Sequence, residues 1–80
     1  MITIKSPKAL AKSIARYDLG VVRVERRGAN EVFYLANRRS GGSVLSRFST
    51  FRNSRIAVIP YADAVELHAR GILRKHRLFS

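Results

Sequence analysis

Eighty residues, 46% of them apolar, supply one domain with one modest core. Sixteen Lys and Arg against five Asp and Glu leave a formal charge of +11, and the lack of cysteine excludes a disulfide scaffold and any thiolate metal site. The opening MITIKSPKALAKS has no apolar centre of a signal peptide, and no run approaches the roughly 20 apolar residues of a membrane span, so a soluble, cytoplasmic chain with no membrane partner is expected.

Ser6-Pro7 predicts a helix start, because serine caps and proline suits the first helical position. Leu10, Ile14 and Tyr17 then recur on one apolar face, and Gly20 is expected to end the helix. Lys8, Lys12 and Arg16 run at i, i+4, i+8 as a basic ridge. Like charges at that spacing repel by a few tenths of a kcal/mol per pair, which is better tolerated when something neutralises the ridge. Val21 to Arg27 reads as a strand with Val22 and Val24 on one face and Arg23, Glu25 and Arg27 on the other. Gly28-Ala29-Asn30 makes a turn, and Glu31 to Asn37 returns with Phe33 and Leu35 opposite Val32, Tyr34 and Ala36. Apolar residues on both faces of that return mark an inner strand.

Ser40-Gly41-Gly42-Ser43 is a flexible turn. VLSRFSTF is read as a strand from its β-branched and aromatic content; a short helix remains the alternative, since Val44, Leu45, Phe48 and Phe51 also cluster at helical spacing. Ile56 to Ile59 forms the next strand. Pro60 opens a second helix, with Asp63 and Glu66 early in it where the dipole favours acids. Ala62, Val65, Ala69 and Ile72 are expected to face the core, Glu66 and Arg70 stand at i, i+4, and Gly71 ends the helix. ILRKHRLF follows as a frayed basic tail or a final edge strand.

The charge is unevenly placed. Residues 1–16 carry +4, 37–55 carry +5 and 70–80 carry +4, while 17–36 are neutral and 56–69 carry −2. Twelve of the sixteen cations are arginine, whose planar fork suits phosphates and carboxylates and stacks on bases. The stretch NRRSGGSVLSRFSTFRNSR holds Arg38, Arg39, Arg47, Arg52 and Arg55 without an acid, interleaved with hydroxyl side chains and two phenylalanines. In the strand reading Arg47 and Phe51 share one face and Phe48 the other; both rings are expected in the core, the alternative being that one enters the core and the other stacks on a base.

No nucleotide-loop, zincin or nucleophile-elbow motif is present. Asp18, Glu25 and Glu31 are read as surface balance beside arginines, His68 as a lone helical histidine and His76 as part of the basic tail. Without a nucleophile–base pair or ligand cluster, neither an enzyme nor a cofactor or metal site is expected. No helix-turn-helix, RNA-recognition sheet or KH signature appears, so sequence-specific readout has no support.

The length, the missing cysteine and the opening MITIKSPKALAKSIARYDLG resemble, in size and style, small phage and prophage proteins, anti-CRISPR proteins among them. Many of those are acidic and imitate DNA, whereas this chain is basic. The resemblance therefore implies an inhibitor that caps an acidic or RNA-bearing surface of a nucleoprotein complex in the host cytoplasm and blocks target DNA access. The order strand, helix, hairpin in residues 2–37 is similar to the first half of Phd/YefM antitoxins, from which the arginine-rich second half departs.

The expectation is a single basic α+β domain over residues 1–80: a three- to four-stranded antiparallel sheet with two helices packed on one face. Its partner surface is assigned to Arg38, Arg39, Arg47, Arg52 and Arg55, with Lys8, Lys12 and Arg16 as a second patch. The partner is a protein–nucleic-acid complex or, alternatively, DNA or RNA bound directly and without sequence preference. So small a core is also compatible with a homodimer.

Overall fold

The computed structural model describes residues 2–37 and 54–74. Element order is β1 (Ile2–Ile4), α1 (Pro7–Tyr17), β2 (Leu19–Arg27), β3 (Asn30–Asn37), β4 (Arg55–Pro60) and α2 (Tyr61–Ala69). The sheet runs β1-β4-β3-β2. β2, β3 and β4 are antiparallel neighbours, and β1 joins the edge parallel to β4 with Ile4 opposite Ala57, so the sheet is mixed. The α+β class and the inner position of β3 are as the sequence reads.

Both helices pack on one face. Leu10 and Ile14 of α1 meet Leu19, Phe33, Leu35, Ala57 and Ile59 of the sheet and Ala64 and Leu67 of α2. Complete burial of a leucine or isoleucine is worth about 1.5–3 kcal/mol, and Leu10, Leu19, Leu35 and Ile59 are all fully buried. On the opposite face Val22 and Ala36 form a smaller buried cluster with Tyr34 and Ile56 against it.

Local chemistry sets the boundaries. Ser6 takes extended backbone, and its Oγ accepts from the Ala9 N–H at 3.4 Å. Gly20 does not end α1: Asp18 adopts the left-handed conformation (φ 52°) and donates its N–H to the Ile14 carbonyl, while Gly20 pairs with Ala36 inside β2. Aspartate tolerates this region because its short polar side chain bonds locally. Gly28, at φ +61°, is the first central residue of the two-residue loop between Arg27 and Asn30, as a type II′ turn requires.

Two side-chain assignments change. The register shifts between Val21 and Arg23, making Val22 a bulge residue. Val22 therefore joins the face of Arg23, Glu25 and Arg27, while Val24 pairs with Phe33 on the helix side. In α2, Ala62, Val65 and Ala69 are exposed, and Ala64 and Leu67 are buried. The Tyr61 N–H donates to the Ala29 carbonyl at 2.9 Å where the helix begins, and the large apolar Leu67 takes the core position, two residues from Val65 and from Ala69, which periodicity assigns to it. Ile72 does pack against the core. Gly71 (φ +74°) closes α2 as expected, with the Ile72 N–H on Leu67 and the Gly71 N–H on His68, a Schellman closure.

The chain then returns to the sheet edge: Leu73 is buried, and the Val21 N–H donates to the Arg74 carbonyl at 2.7 Å. The choice between strand and helix for residues 44–51, and between tail and edge strand for 75–80, falls outside the described residues. Among the described residues no helix is long and apolar enough to cross a membrane.

Candidate functional site

Three of the basic residues singled out in the sequence converge. Lys12 and Arg16 from α1 and Arg55 from the start of β4 line a depression of about 250 Å³, together with Ile2, Ser13 and Tyr17. Among the described residues that line it, none is acidic. Arg55 comes from the arginine-rich stretch and Lys12 and Arg16 from the helical ridge, so the fold joins what the sequence shows as two patches.

Tyr17 is the centre of this arrangement. Its carbonyl accepts from the Asn37 Nδ2 at 3.1 Å, tying the end of α1 to the end of β3. Over its ring lie the guanidinium carbons of Arg55 at 4.9 Å and Arg16 at 5.4 Å from the centroid. Each such contact contributes about 0.5–1 kcal/mol at an exposed site. Arg55 Nη1 also donates to the Ser54 carbonyl at 2.9 Å, which further fixes its direction. The pattern singles out Tyr17 as a core-facing residue, and it does pack partly against the core; its service to two arginines is visible only once β4 is placed beside α1.

Lys8 lies elsewhere. It shares with Lys12 a second cleft between the helices, opposite Asp63, Glu66 and Arg70. The basic ridge is thus answered at its N-terminal end by the acids of α2, and toward Arg16 it meets no acid among the described residues lining the depression. Arg38, Arg39, Arg47 and Arg52, and the phenylalanines between them, lie outside the described residues, as does His76. Another depression, about 430 Å³, lies between α1 and the end of α2, with Asp18, Arg70 and Arg74 at its margin.

Away from the helices, Glu25 lies 3.5 Å from Arg23 and 3.8 Å from Arg27. A hydrogen bond from the Tyr34 hydroxyl, aided by the two arginine charges, holds the Glu25 carboxyl below its ordinary range; burial opposes this. The same bond pushes the Tyr34 phenol up. Arg23 lies over the Tyr34 ring at 5.9 Å, and Arg26 over the Tyr61 ring at 4.3 Å. Beside Tyr61, Val24 and Val65 complete an exposed apolar patch bordered by Glu31 and His68. Among the described residues no three acids, histidines or cysteines gather as a metal site would require.

In comparisons with protein families, curated proteins and solved structures, nothing matches this chain.

Proposed function

We propose that the protein is a non-enzymatic binding domain that engages the phosphodiester backbone of nucleic acid through the Lys12–Arg16–Arg55 depression. One observation carries the reading: cations from α1 and β4 meet around Tyr17 with no acid among the described lining residues. Arginine forks match phosphate oxygens in a bidentate way, and Ser13 adds a hydroxyl donor at the same place. With +11 on 80 residues, long-range attraction steers such a ligand in.

A more elaborate form of this reading, an inhibitor of a nucleic-acid-handling complex of the anti-CRISPR kind, is favoured by the apolar patch of Val24, Tyr61 and Val65, which are 51%, 45% and 49% exposed. That patch offers a contact to protein while the depression holds the nucleic acid. Capture of partners from a lysate, with and without nuclease, separates the two forms. Partners that survive nuclease and depend on Val65 support the inhibitor. Loss of every partner after nuclease leaves the direct binder. Failure to retard free DNA or RNA at low salt, combined with no partner captured, contradicts both.

A further inference from the structure

We infer that the depression reads phosphates and leaves bases unread, and that Tyr17 is a positioning residue that holds Arg16 and Arg55 against its ring for that purpose. This rests on the function proposed above and narrows its ligand to the sugar–phosphate chain itself.

The aromatic ring is already engaged. A tyrosine that serves nucleic acid as a stacking platform presents an open face to a base. Tyr17 instead carries two guanidinium groups, at 4.9 and 5.4 Å from its centroid. The chain has three tyrosines, and the other two are covered in the same way, Tyr34 by Arg23 and Tyr61 by Arg26. Phe33, the one phenylalanine among the described residues, is buried in the core. A base entering the depression would have to displace an arginine from Tyr17, losing one attraction to gain another. A phosphate needs no displacement, because the N–H edges of a guanidinium resting on a ring remain available to donate. Resting there also restrains two long side chains before the ligand arrives, so less rotamer freedom is lost on binding.

The test uses the full chain and two fluorescent oligomers of equal length, oligo(dT) and a base-free deoxyribose–phosphate chain, followed by anisotropy. Tyr17→Leu should weaken binding of both oligomers by the same factor, on the order of fivefold. Tyr17→Phe, which keeps the ring and its packing, should restore the parent affinity for both. A loss confined to oligo(dT) overturns the inference, since Tyr17 would then be stacking on a base. Equal, unweakened binding by Tyr17→Leu overturns it as well, because the ring would not be positioning anything. If the parent protein binds neither oligomer, the functional reading itself fails, an outcome distinct from either of these.

Discussion

The guanidinium of Arg55 rests over the ring of Tyr17, 4.9 Å from its centroid, and so links the first residue of β4 to the last residue of α1. This contact turns a cation in a long arginine-rich stretch into part of a shaped site. Replacing Arg55 with Ala should weaken binding to oligo(dT) severalfold and reduce the salt slope by about 1. Arg55→Lys should keep the slope but bind more weakly than the parent, because an ammonium cannot lie flat on the ring while donating a fork of hydrogen bonds. Anisotropy titrations at several salt concentrations give both quantities.

The phase of α2 can be tested by stability. Leu67 is 4% exposed and Val65 is 49% exposed. Leu67→Ala should cost about 2–4 kcal/mol in urea unfolding, whereas Val65→Ala should stay within about 0.5 kcal/mol. Comparable losses would mean that the helix is rotated from the position described.

Helix ends supply a smaller effect. Gly71 sits at φ +74° with open space where a Cβ would stand, so Gly71→Ala is strained by backbone conformation and not by crowding. It should destabilise by about 1–2 kcal/mol. Ser6→Ala should cost at the lower end of the roughly 0.5–2 kcal/mol typical for caps, since the bond to Ala9 is long at 3.4 Å. Thermal unfolding of both variants ranks the two.

The Glu25–Tyr34 bond makes one small stability contribution that fades at acid pH and another that fades at alkaline pH. Glu25 is held below its ordinary range, so its contribution is complete above the unfolded carboxyl's pKa and is lost as pH falls through the lower folded value. Tyr34 is pushed up, so its contribution is complete below the unfolded phenol's pKa, about 10, and is lost as pH rises through the higher folded value. Tyr34→Phe should remove the bond and so flatten both limbs of a stability profile, and Glu25→Gln should flatten the acid limb and weaken the alkaline one, because the Glu25 carboxylate is what raises the Tyr34 phenol. An unchanged acid limb in both variants would show that other carboxyls govern it.

Much of this architecture is legible in the residues. Ser6-Pro7, Gly28 and Gly71 mark boundaries through their own chemistry, and Phe33 and Leu35 against Val32 and Ala36 announce an inner strand. Asp18 is missed because glycine is the usual occupant of a left-handed cap and one stood two residues on. The bulge at Val22 is missed because alternation assumes an unbroken ladder, and nothing in LGVVRVERR signals the extra residue. The face of α2 is misjudged because Ala62, Val65 and Ala69 fit one phase nearly as well as Ala64 and Leu67 fit another; the helix begins at Tyr61, whose N–H is held by the Ala29 carbonyl, a partner far away in sequence. Lys12, Arg16 and Arg55 are each visible as basic residues. Their convergence depends on β4 lying beside the end of α1, a long-range relation that no local pattern encodes.

The central claim is that these cations act together at one place. The most direct measurement compares the salt dependence of oligo(dT) affinity for the parent, for Arg16→Glu/Arg55→Glu and for Arg26→Glu/Arg27→Glu, two doubles of identical net charge. Binding by the parent should fall steeply, with a log–log slope on the order of −4 if about five phosphates are neutralised. The Arg16/Arg55 double should lose most of its affinity and reduce the slope by about 1–2, while the Arg26/Arg27 double stays near the parent slope. Equal losses in the two doubles would contradict the account, because attraction would then follow total charge and not the depression around Tyr17.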